Sequence, residues 1–460
     1  MLSKKNSPLN VADDDVDVDL LPFLVRYKDG RIERFLSSPF VAATENPSAN
    51  RGVATRDVVI NLSTGVSARL FLPSRAAAAA MAARRRLPLV VYIHGGSFCT
   101  ESAFCRTYHR YATSLAASAG ALVVSVEYRL APEHPIPAAY DDTWSALQWV
   151  ASLADPWLAA YADPRRTFLA GDSAGGNIAY HMAVRASTRC TVDGIDVEGV
   201  IMVHPYFWGP ERLPSEAVWD GAAVLPPDGV DKLWPFVTEG QAGNGDARIN
   251  PPDEEIASLT CRRVLMAVAE KDTLRDRGVL LLARIRDCAA GAGGEVAVAL
   301  VVSEGEDHGF HLYSPLRATS RKLMDSIVSF INQPLVLGVP TRPFKDPFGY
   351  GMDTKRYCTT MASYGYDGAT SASLKTGRGA NNASNSKANN HGLLFACPAM
   401  TRPNSKTYKQ QRLWPPAALL PGGTHVTKNC LRMHDGRAVH VWGGGAVINL
   451  RICYHKLSIK

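Results

Sequence analysis

The stretch Thr167-Phe168-Leu169-Ala170-Gly171-Asp172-Ser173-Ala174-Gly175-Gly176-Asn177-Ile178-Ala179-Tyr180 decides the reading of this chain. A short apolar run ends in Gly-Asp-Ser-Ala-Gly and passes into a segment that suits a helix as far as Arg185. A serine in such a G-x-S-x-G run sits on a strand-to-helix turn that requires glycine neighbours. The turn lifts the hydroxyl out of the sheet, beside the positive end of the following helix. Ser173 therefore reads as a nucleophile, provided that a base, an acid and oxyanion donors occur elsewhere.

Outward from this turn, apolar strands alternate with amphipathic helices. Strands are expected over Leu89 to Ile93, Ala121 to Val126, Val197 to Val203, Cys261 to Val268 and Glu295 to Val302. Helices are expected over Tyr108 to Ala117, Tyr140 to Leu153, Arg275 to Cys288 and Leu316 to Ile331. Asp57 to Leu62 and Val66 to Leu72 flank a turn-prone Ser-Thr-Gly and read as a strand pair, while the Ala- and Arg-rich run 74–86 reads as an exposed loop or short helix. Continuous apolar strands separated by helices imply an α/β fold with a mostly parallel sheet covered on both faces. Ligands of such sheets gather at the carboxyl ends of the strands. The alternation stops between Tyr206 and Thr260, an insertion carrying Trp208, Trp219, Trp234 and Phe236. These aromatics are expected mainly to pack a local core, with some lining an acyl or alcohol pocket.

Composition bounds the rest. The chain has 460 residues and a net charge of +7, but the charge is uneven. From Leu335 to Lys460 there are 17 Lys and Arg against four Asp and no Glu, a net of +13. The 33 basic and 39 acidic residues before Leu335 leave that part at −6, with no footprint for nucleic acid. Beyond about Asn332 the sequence turns low-complexity, as in Asn381 to Ser386, so 333–460 is expected to be a basic, disordered or dispensable extension. Residues 1–17 are expected to be disordered, with neither a secretory signal nor a membrane span. Nine cysteines without regular spacing fit reduced thiols and no zinc site. These features suggest a cytoplasmic protein, with the nucleus as a second compartment.

A serine nucleophile needs partners, and they occur in order along the chain. His94-Gly95-Gly96-Ser97-Phe98 follows the Leu89 to Ile93 strand, and its glycines let backbone amides approach a substrate. Gly95, Gly96 and the amide of Ala174 are the expected oxyanion hole. Among twelve histidines, His308 in Gly-Glu-Asp-His-Gly-Phe-His follows the last strong strand and is the expected base, with His311 as its rival. Asp272, just beyond Cys261 to Val268, is the expected acid; Asp276, four residues on, suits a helix start instead. The order Ser173, Asp272, His308 is the one this architecture uses.

Several motifs together are more specific. HGGSF (94–98), EYRLAPEHPIPAAYDD (127–142), GDSAGGN (171–177), EKDTLRDRG (270–278) and GEDHGFH (305–311) resemble the plant carboxylesterases of the hormone-sensitive-lipase group. The resemblance covers roughly 18–332. It implies an α/β-hydrolase fold with a cap drawn from the N-terminal segment, about 18–50, and from the insertion, about 206–260. It further implies hydrolysis of small carboxylic esters without metal or cofactor, by the triad and oxyanion donors named above. The Arg129 to Pro135 segment then looks structural. The same resemblance takes in isoflavanone dehydratases and gibberellin receptors, but the receptors lack the catalytic histidine that His308 supplies here. No oligomeric state follows from these patterns.

Overall fold

The computed structural model describes residues 15–188, 195–217, 224–291, 296–334, 431–434, 438–443 and 446–450. They fall into two units, 1–369 and 370–460.

The first unit opens with three strands, β1 (Val16–Leu20), β2 (Leu24–Tyr27) and β3 (Ile32–Arg34), in an antiparallel meander. In β1 the valines and Leu20 alternate with more exposed aspartates, the period of two that half-buried strands require. A hairpin follows, β4 (Val53–Val59) and β5 (Ser67–Pro73), and then a short helix, α1 (Ser74–Ala82). Ala77 and Ala80 face the core from α1, so this Ala-rich run is a packed helix rather than an exposed loop.

The alternating region then follows. Strands β6 (Leu87–Ile93), β7 (Leu122–Glu127), β8 (Ala162–Asp172), β9 (Val197–Val203), β10 (Arg263–Ala269) and β11 (Ala297–Ser303) are joined through helices α2 (Arg106–Ala119), α3 (Ala138–Ala151), α4 (Pro156–Tyr161) and α5 (Ala174–Thr188). Three short helices, α6 (Pro214–Ala217), α7 (Pro227–Val237) and α8 (Asp253–Ala257), occupy the insertion. After them come α9 (Arg275–Gly291), α10 (Phe310–Tyr313) and α11 (Ala318–Asn332). The eight-stranded sheet has the order β11-β10-β9-β8-β6-β7-β5-β4, parallel from β11 to β7 and antiparallel at β5 and β4.

Successive strand residues feed opposite cores. Leu89, Val91 and Ile93 of β6 pack on one face with Leu147 of α3 and Ile178 of α5. Val90 and Tyr92 pack on the other with Leu115 of α2 and Ile327 of α11. Burial on both faces explains why these strands are continuously apolar. Within the insertion, Trp208, Trp234 and Phe236 are buried in the first core, so they extend the core on one face of the sheet rather than forming a separate local one. Trp219 lies outside the described residues.

Topology locates the site. The strand order reverses between β6 and β8, so the loops leaving their carboxyl ends open a crevice there. Register aligns the strand ends: Ile93 lies opposite Gly171, Asp172 opposite Val203, and Ala269 opposite Ser303. In the second unit, strands β12 (Leu431–His434), β13 (Ala438–Gly443) and β14 (Ala446–Leu450) form an antiparallel meander. The expected disordered N-terminus, 1–17, and extension, 333–460, otherwise lie almost entirely outside the described residues.

The two-faced sheet makes a direct stability prediction. Leu169→Ala, at a fully buried central position of β8, removes contacts that neighbours cannot refill and should cost about 3 kcal/mol. Leu62→Ser, at a site 92% exposed, should stay within about 0.5 kcal/mol. Urea unfolding of both variants checks the pair; equal losses would contradict this core.

Candidate active site

Ser173 occupies the turn between β8 and α5 with φ of 51°, a left-handed conformation that costs a non-glycine residue roughly 1 kcal/mol. Hydrogen bonds hold the turn there. The Ser173 N–H donates to the Val203 carbonyl at 2.9 Å, and the Ser173 carbonyl accepts from Tyr206 at 2.9 Å and Gly176 at 3.0 Å. A side chain at Gly175 would collide with the carbonyls of Ile93 and His94, so the turn packs directly on the end of β6. Asn177 anchors the helix start by accepting from the Tyr140 hydroxyl at 2.6 Å and donating to the carbonyls of Tyr206 and Arg248.

The expected base and acid meet the serine. His308 Nε2 lies 3.0 Å from Ser173 Oγ, and His308 Nδ1 lies 2.8 Å from Asp272 Oδ2. With a neutral ring, Nδ1–H donates to Asp272 and Nε2 accepts from the serine hydroxyl. The other oxygen of Asp272 accepts the Leu274 N–H at 2.9 Å, which fixes the carboxylate. Burial favours the neutral form of both groups, but each opposes it in the other. The His308 ring beside it holds Asp272 below the ordinary carboxylate range, and the Asp272 charge, helped by Asp172 and Asp307, raises His308 above an ordinary histidine.

The rival residues do other work. Asp276 accepts from Arg275 at 2.7 Å and from the Ser215 N–H at 2.8 Å, joining α9 to the insertion. His311 is buried against Tyr111 and His204, and burial pushes its pKa down to about 3. His94 stacks on Tyr128 with ring centres 4.2 Å apart, and burial pushes it down to about 4. Arg129 pairs with Asp142 through both Nε and Nη2, and the neighbouring Ala131 N–H donates to the Phe98 carbonyl. That segment buttresses the glycine loop.

The glycine loop differs from expectation in one respect. The Gly95 N–H donates to the Tyr108 hydroxyl at 2.9 Å, which corrects its assignment as an oxyanion donor. Gly96, at φ of 101°, turns the chain in a conformation that glycine adopts freely. Among the described residues no acceptor is seen for the N–H groups of Gly96, Ser97 and Ala174. Ser97 was missed in the sequence, where only the glycines signalled close backbone approach. It lines one pocket with Ser173, Tyr206, and Leu20, Leu21 and Phe23 of the N-terminal meander. Leu225, Val230 and Leu233 close the pocket from the insertion. Among the described residues, no charged side chain lines it.

His204 was also missed. It follows β9 with φ of 48°, is buried, and accepts the Gly309 N–H at 3.3 Å through Nδ1. His204, Asp272 and His308 each place one possible metal ligand within 4.8 Å of the others. Asp272 and His308 are hydrogen-bonded to each other, so a cation there would compete with that bond.

Comparison with known proteins agrees with this architecture. Residues 90–312 match a family described as alpha/beta hydrolase fold. The 2-hydroxyisoflavanone dehydratase of Glycyrrhiza echinata is 40% identical over 331 residues, covering 69% of this chain and 96% of that protein. Probable carboxylesterase 5 of Arabidopsis thaliana is 36% identical over 326 residues, covering 69% and 98%. A thermostable carboxylesterase cloned from a metagenomic library superposes with a TM-score of 0.50 at 28% identity, covering 64% of this chain and 90% of that one. The eight-stranded, mostly parallel sheet and these relatives lead to one assignment: the chain belongs to the plant carboxylesterase group of the α/β-hydrolase family.

Proposed function

We propose that the protein is a serine carboxylesterase that hydrolyses small, uncharged carboxylic esters through an acyl-enzyme. The observation that carries this reading is the hydrogen-bonded series Ser173, His308, Asp272 opening into an apolar pocket. Ser173 Oγ attacks the ester carbonyl while His308 Nε2 takes its proton, and Asp272 stabilises the resulting imidazolium. The N–H groups of Gly96, Ser97 and Ala174 receive the negative charge of the tetrahedral intermediate, aided by the N-terminal end of α5. Collapse expels the alcohol, which takes the proton from His308. Water, deprotonated by the same ring, then releases the acid.

The N-terminal meander and the insertion form a cap in this reading, because both contribute apolar walls to the pocket. Such walls favour aliphatic or aryl groups over charged ones, since an unpaired charge would lose its hydration there. Elimination is the second reading, favoured by the relative named a dehydratase. The presence of His308 between Ser173 and Asp272 favours hydrolysis over simple ligand binding.

The first test is turnover of a short-chain aryl ester. Wild type should hydrolyse it, and Ser173→Ala should lose at least about 1,000-fold in kcat. Equal rates in the two proteins would refute the esterase reading. Loss of water from a 2-hydroxyisoflavanone, without ester hydrolysis, would favour elimination.

The second test is the pH profile. His308 is active when neutral, so kcat/KM should fall as pH drops through its pKa, and that limb should lie above the ordinary value of 6.5. Asp272→Asn removes the main charge that raises His308 and leaves burial opposed only by Asp172 and Asp307, so the limb should move to lower pH while the rate falls. A limb that stays in place in Asp272→Asn would contradict the assignment of the acid.

A further inference from the structure

Behind the proposed oxyanion loop lies a buried polar bridge that no step of the reaction uses directly. Asp172, the residue before the nucleophile, is almost fully buried at the end of β8. Its Oδ1 accepts from the Tyr92 hydroxyl at 2.6 Å and its Oδ2 from the Tyr108 hydroxyl at 2.8 Å. Both tyrosines are themselves buried, Tyr92 on β6 and Tyr108 in the first turn of α2. Because the Tyr108 proton is committed to Asp172, its oxygen is left as an acceptor, and it takes the Gly95 N–H at 2.9 Å. The hydroxyl is thus orientated by one side of the site and receives the peptide of the other.

Steric contact reinforces the direction. A side chain at Gly95 would come within 2.5 Å of Asp172 Oδ2, so the loop backbone rests almost on the carboxylate. Burial raises the Asp172 pKa against the pull of the two tyrosines and the Gly95 N–H, so the group is costly to bury and needs its donors. The bridge joins the strand end that carries Ser173 to the loop that carries Gly96 and Ser97.

We propose that Tyr108 is a positioning residue: held by Asp172, its hydroxyl fixes the Gly95 peptide and thereby aims the following amides at the oxyanion formed on the Ser173-bound carbonyl. The proposal rests on reading Gly96 and Ser97 as oxyanion donors. Tyr92 supplies an internal comparison, because it donates to the same carboxylate while the Gly95 N–H goes to Tyr108.

The experiment compares wild type, Ser173→Ala, Tyr108→Phe and Tyr92→Phe on an aryl ester, with affinity for an aryl boronic acid and amide hydrogen exchange across residues 94–98. Tyr108→Phe should lose about 10- to 100-fold in kcat with KM within about twofold, since the donors act mainly on the transition state. Boronate affinity should fall by a similar factor, and exchange across 94–98 should quicken. Tyr92→Phe should stay within about threefold of wild type in kcat, with unchanged exchange. A kcat for Tyr108→Phe within twofold of wild type, or equal losses in the two variants, would overturn the proposal. Should Tyr108→Phe not fold, Asp172→Asn carries the test through exchange, because its charge also acts on His308: quicker exchange across 94–98 with a kcat loss at constant KM supports the bridge, and unchanged exchange overturns it. An inert wild type would refute the esterase reading instead. The exchange arm would still judge the loop, and unchanged exchange in Tyr108→Phe would overturn the proposal.

Discussion

The site depends on the close approach of the Ser173 turn to the end of β6. Gly175 lies against the carbonyls of Ile93 and His94, where no side chain would fit. That approach brings the nucleophile within reach of the glycine loop, since the same strand end leads into His94 and Gly95. It also forces Ser173 into the left-handed region. The hydrogen bonds to Val203 and Tyr206 that hold the turn offset a cost of similar size. Parallel register does the rest, because it levels the ends of β8, β9, β10 and β11 so that loops from different strands converge. His308 and Asp272 reach one another across 36 residues of sequence for this reason.

Electrostatics at the site follow from placing three carboxylates near one imidazole, Asp172 and Asp272 buried and Asp307 partly exposed. Asp272 is bonded to His308 directly, while Asp172 and Asp307 act on it through space. Each acid is held by donors of its own. Asp307 accepts the N–H groups of His308 and Val224, tying the base loop to the insertion. Asp172 has its two tyrosines. The ring that gains a proton in the proposed mechanism therefore faces negative charge, whereas His94, His204 and His311 are kept neutral by burial.

Much of this was legible in the sequence because its signals are local. Continuous apolar runs mark strands buried on both faces, and β9 spans Val197–Val203 as expected. Ser173, Asp272 and His308 were legible because each follows a strand and the three occur in a recognisable order. The rest depends on contacts distant in the chain. That Gly95 is occupied by Tyr108 could not be read from a glycine motif, since the two meet only when α2 packs under the loop. Ser97 and His204 carry positive φ without being glycine, so no residue type announced them. The Val-Asp-Val-Asp-Leu alternation of β1, by contrast, was a strand signal obscured by its acidic residues.

The central claim is that one serine, activated by His308, is the nucleophile. Its most direct test is covalent capture with an alkyl fluorophosphonate, followed by mass spectrometry of the tryptic peptide Thr167 to Arg185. The account predicts a single adduct, at Ser173, formed at least about 100-fold more slowly in His308→Gln. Labelling of another residue, or a labelling rate indifferent to His308, would contradict it.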